Sequence, residues 1–323
     1  MDSAIDIQDL RVDYGNFTAV DNLSMTIARG EIFGLVGPNG AGKTSTLNSL
    51  ATLLVPTCGR VLMAGFDLEE EPDAIRARLG YMPDLAPVIG NLRVWEFLDL
   101  FAAAHGLEGR QRRARVETCL ERVKMQEYRN VLCETLSRGM SQRVVLAKTL
   151  LHEPEILLLD EPASGMDPLA RIDLKDALQT ISAEGATIVI SSHILSELAE
   201  MATSVGILHK GRLREHGSVD EVLTSIEKAT TRIQVDLLGD PESCRAWLSA
   251  RNIESSIASN QPRRLEIDLA GNKRHQAEFL RSLIEAGFAV HGFHVRRSSL
   301  EDLMRAISAE PEETPQSRAE VQP

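Results

Sequence analysis

The chain has 323 residues, a net charge of −12 at pH 7 and a calculated isoelectric point near 5.2. This length suits a domain of roughly 200 residues followed by a smaller one, and the negative balance argues against a partner bound by general attraction to phosphate, so no nucleic acid is expected. The N-terminus has no signal-peptide pattern, no apolar run approaches the roughly 20 residues that cross a bilayer, and the 4 cysteines form no C-x-x-C pair. These features predict a cytosolic protein with reduced thiols.

The first chemical motif follows a short apolar run, residues 31–36, that predicts a buried strand. Residues 37–44 match the P-loop pattern G-x-x-x-x-G-K-[ST], and residues 44–54 predict a helix. In this pattern glycines let backbone N–H groups converge on phosphate oxygens, while Lys43 adds a point charge and the Thr44 hydroxyl can ligate Mg²⁺. The sequence therefore predicts a nucleoside-triphosphate site formed by Gly37, Pro38, Asn39, Gly40, Ala41, Gly42, Lys43, Thr44 and Ser45.

Strand-like and helix-like segments alternate from Ile32 to about Leu208, which predicts an α/β domain with a largely parallel sheet. Continuous apolar runs at residues 155–159 and 186–190 are typical of strands covered on both faces. Between these and the P-loop the periodicity becomes helical. It predicts a helical insertion at about residues 88–152.

Two carboxylates, Asp160 and Glu161, follow the apolar run of residues 156–159. Ligands bind at the carboxyl ends of parallel strands in open α/β sheets. There, Asp160 can hold Mg²⁺ through water beside Thr44, while Glu161 extends further and can polarise the water that attacks a γ-phosphate. Adjacent acids after an apolar strand are common, so this interpretation depends on the P-loop upstream.

The pattern changes after Gly217. Strands are predicted at residues 232–238, 253–259, 264–269 and 288–295, and helices at 242–250, 273–286 and 300–307. The order βαββαβα predicts a ferredoxin-like α+β module, an accessory domain with ligand-binding regulation as an alternative role. The last residues have little apolar content and predict a disordered tail. The predicted division is a nucleotide-binding domain at 1–220, the module at 230–308 and the tail at 309–323.

A further motif, L-S-R-G-M at residues 136–140, lies between the P-loop and the carboxylates. It resembles the L-S-G-G-Q signature of the ATP-binding cassette (ABC) ATPases. Ser137 and Gly139 match this signature, whereas Arg138 and Met140 depart from it. The resemblance implies that the Ser137 hydroxyl and the Gly139 N–H meet a γ-phosphate at the positive end of the helix that follows.

Other motifs of this family occur in the expected order. Tyr14 is similar to the aromatic residue that stacks on adenine. Residues 164–167, S-G-M-D, resemble the D-loop and contribute Asp167 to the nucleotide-binding candidates. His193 resembles the switch histidine that contacts the γ-phosphate, and it counts with Glu161 as a catalytic candidate.

One position departs from the family pattern. Asp84, in Y-M-P-D, stands where most members have Gln. A carboxylate can still contact Mg²⁺ through water, so Asp84 is both a catalytic and a metal-binding candidate. With this exception the resemblance covers residues 5–217.

The resemblance implies an ATPase with ATP and Mg²⁺ as cofactors. Because the chain carries one set of motifs, it implies a head-to-tail dimer with a second copy or a paralogue, in which one P-loop and the partner's signature enclose each ATP. It also implies a separate polytopic membrane permease, seated between the Asp84 loop and the helical insertion, and a peripheral position on the cytoplasmic face of the cell membrane.

Residues 298–303, S-S-L-E-D-L, are similar to the endings of ATPases paired with exporters, which favours export over uptake. The alternative is a soluble cassette ATPase acting in translation or DNA repair. Such proteins usually carry two cassettes in one chain, and this chain carries one.

Overall fold

A computed structural model describes residues 3–85, 87–222, 232–251, 253–258, 263–269 and 273–296. The chain divides into two compact units, Met1–Val219 and Asp220–Pro323. None of the helices within the described ranges is long and apolar enough to cross a membrane.

The first unit contains two sheets and a set of helices. Its strands are β1 Ser3–Tyr14, β2 Phe17–Ala28, β3 Ile32–Val36, β4 Cys58–Met63, β5 Phe66–Asp67, β6 Leu79–Met82, β7 Ile156–Asp160, β8 Thr187–Ser192, β9 Ser204–His209 and β10 Arg212–Ser218. Its helices are α1 Lys43–Leu50, α2 Pro72–Arg76, α3 Val94–Ala104, α4 Gly109–Arg122, α5 Arg138–Thr149, α6 Pro168–Ala183 and α7 Leu195–Met201.

The central sheet has the order β10-β9-β3-β8-β7-β6. Strands β9, β3, β8, β7 and β6 run parallel, and β10 closes one edge as an antiparallel hairpin with β9. Every residue of β3, β7 and β8 is buried, as expected for strands covered on both faces. The register pairs Val36 with Ser192 and Asp160 with Ser191, so three strands end at one edge of the sheet.

A second sheet, of order β2-β1-β4-β5, is antiparallel. Its apolar face shares one hydrophobic core with α1 and with β3, and Ile7, Leu23, Leu47 and Leu35 of this core are almost fully buried. The sequence pattern did not predict this sheet. Register shifts along β1 disturb the alternation of apolar and polar residues by which a half-buried strand is recognised.

The predicted helix at residues 44–54 is shorter in the structure. It begins at Lys43 and ends at Leu50. Thr52 has φ 59°, a left-handed conformation that interrupts the helix before Pro56.

Helices α3, α4 and α5 lie in the segment for which the sequence predicts an insertion. Along α3 the buried residues are Val94, Phe97, Leu98 and Ala102. These residues repeat at three- and four-residue spacings, as expected for one face of a helix. The helix packs through this face, and α4 and α5 both contact it.

The second unit has the described elements β11 Arg232–Leu237, α8 Pro241–Ser249, β12 Ser255–Ile257, β13 Arg264–Asp268, α9 Lys273–Glu285 and β14 Val290–Arg296. The strand order is β12-β13-β11-β14, and each neighbouring pair is antiparallel. Ile233, Val235 and Leu265 are fully buried against Leu248 and Leu283 of the two helices. The predicted helix at 300–307, the S-S-L-E-D-L motif and the predicted tail lie outside the described residues.

Candidate active site

The P-loop lies between β3 and α1, where the backbone leaves no room for side chains at two glycines. A Cβ at Gly37 would lie 2.3 Å from the carbonyl oxygen of Leu208. Gly42, the residue before α1, has φ +105°, and a Cβ there would lie 2.4 Å from the carbonyl oxygen of Ala19. Glycine is therefore required at both positions. The N–H groups of the first turn of α1 have no partner within that helix and can bind an anion.

Lys43 is buried and held inside the loop. Its exposed fraction is 6%, and Nζ donates to the carbonyl oxygens of Gly37 at 2.8 Å and Pro38 at 3.3 Å. Nζ also lies 3.5 Å from Oε1 of Glu161. The ammonium group is thus positioned at the centre of the loop, with one carboxylate beside it.

Thr44 and Asp160 meet across the gap between α1 and β7. The Thr44 hydroxyl donates to Oδ2 of Asp160 at 2.8 Å. Asp160 is 2% exposed, and its Oδ1 accepts a hydrogen bond from the Ser191 hydroxyl. Both carboxylate oxygens are therefore held in place. This pair of oxygen-bearing side chains is the type of donor set that Mg²⁺ prefers.

The Tyr81 side chain lies close enough to Asp160 for its pKa to respond to the carboxylate. Burial, with a smaller contribution from the negative charge of Asp160, raises the pKa of Tyr81 to about 12. The phenol therefore stays protonated and donates to Oδ1 of Asn48 on α1 at 2.8 Å. This hydrogen bond links the helix of the P-loop to β6, the strand that leads to Asp84.

Glu161 follows β7 in a strained backbone conformation. Its φ is 49°, which costs a non-glycine residue about 1 kcal/mol. The hydroxyl of Ser191 accepts from the Glu161 N–H at 2.9 Å, and Nδ1 of His193 donates to Oε2 of Glu161 at 2.9 Å. The Glu161 carboxylate, 14% exposed, is thus directed between Lys43 and His193.

These groups surround a cleft of about 380 Å³. The residues that line it are Tyr14, Phe17, Ala19, Asn39, Gly40, Ala41, Gly42, Lys43, Thr44, Ser45, Asp84, Glu161, Ser164 and His193. The structure therefore brings together most of the predicted site residues, including Asp84, on one surface. Three further predicted residues hold the lining in place through hydrogen bonds: the carbonyl oxygens of Gly37 and Pro38 accept from Lys43, and Asp160 accepts from Thr44.

The signature segment (residues 136–143) and Asp167 do not line this cleft. Ser137 is the residue before α5, and its Oγ accepts from the Met140 N–H at 3.3 Å. Gly139 is buried in the first turn of that helix. Asp167 occupies the same position before α6, where its carboxylate accepts from the N–H groups of Leu169 and Ala170.

Four residues of the site were not predicted from the sequence, namely Phe17, Ala19, Ser164 and Ser191. Phe17 is 62% exposed and pairs with Tyr14 at the tip of the β1–β2 hairpin, and both rings line the cleft. Ser164 lines it as well. Ser191 holds Asp160 and the backbone of Glu161. The polar residues at the end of the predicted strand 186–190 were a sequence signal for Ser191. No local sequence pattern indicated that Phe17 belongs to the site.

A P-loop next to two carboxylates at the carboxyl edge of a parallel sheet defines a nucleoside-triphosphate-binding protein of the P-loop class. A family model described as "ABC transporter" matches residues 20–164. The probable multidrug ABC transporter ATP-binding protein YbhF of Escherichia coli is 37% identical over 221 residues, which are 68% of this chain and 38% of that protein. The chain thus spans well under half of that relative.

Another relative aligns along nearly its whole length. The daunorubicin resistance ATP-binding protein DrrA3 of Streptomyces coeruleorubidus is 30% identical over 309 residues, covering 96% of this chain and 97% of that protein. Among solved structures, the dimeric bacterial ABC transporter cassette MJ0796 superposes with a TM-score of 0.61 at 25% identity, covering 67% of this chain and 98% of the cassette. The chain belongs to the ABC transporter family of ATP-binding proteins, and the resemblance seen in its motifs is confirmed.

Proposed function

We propose that this chain is the ATP-hydrolysing subunit of an ABC exporter and drives a separate membrane permease. The observation that carries the proposal is the position of the Glu161 carboxylate, directed into the cleft between Lys43 and His193. A carboxylate placed there can take part in hydrolysis. A site that only binds nucleotide does not need such a carboxylate. Relatives named for multidrug transport and daunorubicin resistance support export. They also support transport over the alternative, a soluble cassette ATPase in translation or DNA repair.

In this proposal the loop residues bind the phosphates. The N–H groups of residues 43–45 and the Lys43 ammonium group bind the β- and γ-phosphate oxygens, and Tyr14 stacks on the base. Phe17 forms a second wall for the base because it lies opposite Tyr14 in the hairpin. The Tyr14 hydroxyl, 3.5 Å from Ser45 Oγ, connects the base platform with the loop.

The metal fits the donors that are present. No group of three or more His, Cys, Asp or Glu side chains that could hold a metal occurs in the described part of the chain, so phosphate oxygens and water must complete the coordination of any ion. Thr44 and Asp160 would hold Mg²⁺, and Asp84 would contact it through water. When bound, Mg²⁺ neutralises charge on the phosphate oxygens.

The hydrolytic step is assigned to two residues. Oε2 of Glu161 accepts a hydrogen bond from Nδ1 of His193, which orients the carboxylate, and Oε1 lies beside Lys43. Glu161 accepts a hydrogen bond from the attacking water and polarises it, and His193 contacts the γ-phosphate through its other ring nitrogen. Water adds to the γ-phosphorus as the bond to the ADP oxygen breaks, yielding ADP and phosphate.

One chain does not present a complete site, because Ser137, Gly139 and Asp167 lie outside the cleft. We infer that a second copy or a paralogue docks head to tail and supplies these residues to the ATP held by its partner. The similarity to a dimeric cassette supports this arrangement. The permease would seat near Leu85 and Ile89, which are 81% and 40% exposed, and hold the subunit on the cytoplasmic face of the membrane.

The proposal is tested by purifying the tagged chain from detergent-extracted membranes of its source. Recovery of a polytopic membrane protein together with ATP turnover is expected. Recovery instead of ribosomes or DNA-repair proteins, with no membrane protein, would favour the alternative.

Asp84 offers a sharper test of coupling. Asp84→Ala should leave ATP affinity nearly unchanged, because in this proposal the side chain contacts the bound nucleotide only through the metal and water. Basal Mg²⁺-dependent turnover should fall about fivefold, which corresponds to about 1 kcal/mol, and permease-stimulated turnover should fall further. Reconstitution with the permease measures both, with Glu69→Ala, an exposed acid, as the control. Equal losses of basal and permease-stimulated turnover would mean that Asp84 acts only in hydrolysis and not in coupling to the permease.

We also propose that the chain divides into a nucleotide-binding domain at residues 1–220, a ferredoxin-like accessory module at 230–308 and a tail at 309–323. The antiparallel order β12-β13-β11-β14, with a helix after the first and third of these strands in the sequence, is the order expected of a ferredoxin-like module and supports the assignment.

A chain ending at Val219 tests this division. It retains every residue of the cleft and the complete central sheet, so its ATP affinity should stay within about threefold of the parental value. Circular dichroism would establish that the shortened chain is folded, and calorimetry would measure binding. A folded chain that no longer binds ATP would mean that the module contributes to the site.

A further inference from the structure

The third residue of the signature segment is arginine in this chain. Arg138 is the first residue of α5 and is exposed. Its Nη2 donates to the Ser164 hydroxyl at 3.2 Å. Across the part of the chain that the structure describes, its guanidinium group forms no ion pair with a carboxylate. The long cationic side chain is therefore directed to a neutral acceptor in the D-loop (residues 164–167).

The guanidinium group also packs directly on the backbone of the D-loop. Gly165 has φ +67°, and a Cβ at this residue would lie 2.9 Å from Nη1 of Arg138 and 3.0 Å from its Cζ and Nε. The glycine thus provides both the left-handed turn and the space in which the planar group lies. Arg138 contacts the D-loop through its face as well as through its hydrogen bond.

The backbone beneath Arg138 is equally close to α6. A Cβ at Gly139 would lie 3.0 Å from Cβ of Ala170 and 3.6 Å from Cγ of Met166. The start of α5 and the D-loop therefore already adjoin each other. Arg138 adds a polar link that the usual glycine at its position could not make.

The acceptor of this link belongs to the nucleotide cleft. Ser164 lines the cleft together with Lys43, Glu161 and His193, and its N–H donates to the carbonyl oxygen of Glu161 at 3.0 Å. A continuous set of hydrogen bonds therefore runs from Arg138 through Ser164 to the residue that carries the proposed catalytic carboxylate. In the proposed dimer the signature segment meets the partner's ATP, while Glu161 acts on the ATP of its own subunit.

We propose that Arg138 is a positioning residue that ties the signature segment to the D-loop of its own subunit and thereby couples turnover at the two ATP sites of the dimer. This proposal rests on the dimeric ATPase proposed above. Arg138 acts through Ser164 rather than on ATP. When the signature segment engages the partner's nucleotide, the link fixes the D-loop and the backbone of Glu161 in the other site.

The test compares Arg138→Ala, Ser164→Ala and the double variant in the full-length protein. Each single change should lower kcat about fivefold, as expected for one exposed hydrogen bond to a charged group, with KM within about twofold of the parental value. The Hill coefficient for ATP should fall towards about 1 as the sites become independent. Because both side chains belong to one link, the double variant should lose no more than either single variant.

Two further variants separate charge from geometry. Arg138→Lys retains the charge but lacks the planar group that lies on Gly165. It should therefore lose nearly as much cooperativity as Arg138→Ala. Arg113→Ala removes an exposed arginine from α4 and should change neither kcat nor the Hill coefficient. Losses that multiply in the double variant, or a loss with Arg138→Ala that Ser164→Ala does not share, would overturn the proposal in favour of direct action on the partner's ATP.

Hydrogen exchange of the amides of the D-loop provides a readout that does not need the dimer. In the nucleotide-free protein these amides should exchange about fivefold faster in Arg138→Ala than in the parental chain, since the link that restrains them is lost. Unchanged exchange would overturn the proposal whether or not the chain dimerises. If exchange is faster in Arg138→Ala but the parental protein forms no ATP-dependent dimer, the link between Arg138 and Ser164 stands, whereas the proposed dimeric ATPase and the coupling between its sites are overturned.

Discussion

Lys43→Ala is expected to abolish ATP turnover, with a loss of at least about 100-fold. Nζ of Lys43 is the ammonium group at the centre of the P-loop, and it is fixed by two carbonyl oxygens of that loop. Removing a charge that stabilises the transferred phosphoryl group typically costs a factor of roughly 10² to 10³. Without this charge the Glu161 carboxylate would face the γ-phosphate directly, and their repulsion should weaken ATP binding as well.

The measurements are steady-state hydrolysis and calorimetric titration with ATP. Thermal unfolding should show a change in stability of about 1 kcal/mol or less, because the contacts of Lys43 are local to the loop. Lys175→Ala, on α6 and outside the cleft, is a matched control and should hydrolyse ATP at the parental rate. Parental turnover in Lys43→Ala would show that the P-loop assignment is wrong.

Glu161→Gln is expected to separate binding from chemistry. The amide keeps the shape of the side chain, and its oxygen can still accept from Nδ1 of His193. It cannot act as the carboxylate that polarises water, so turnover should fall by at least about 100-fold. ATP should still bind, since the loop and Lys43 are intact, and slow hydrolysis should leave the dimer closed on two nucleotides.

Size-exclusion chromatography with and without ATP detects this dimer, and a coupled assay measures the residual turnover. Glu184→Gln removes an exposed carboxylate at the end of α6 and should leave both properties unchanged. Rapid turnover by Glu161→Gln, without an ATP-dependent dimer, would contradict the catalytic role of Glu161 and the composite site together.

The sequence predicted those parts of the site that depend on local chemistry. The glycine-rich loop after an apolar run and the two carboxylates after another are recognisable because each motif combines a buried strand with polar residues at its end. Parallel strands place their carboxyl ends at one edge, so the proximity of Thr44 and Asp160 followed from the order of the elements. The roles assigned to these residues stay predictions until the variants are measured.

By itself, the sequence determined the ABC family, the P-loop fold and the nature of the nucleotide chemistry, because contiguous motifs encode them. The tertiary structure alone decided which residues from separate segments meet. The bulged strand β1 and its partner β2 bring Phe17 to the cleft, β8 brings the hydroxyl of Ser191 to Asp160, and the packing of α5 against α6 brings Arg138 to Ser164. Ser191 and Asp160, for example, lie 31 positions apart in the chain. Such contacts depend on strand register and helix packing, which local sequence patterns do not specify.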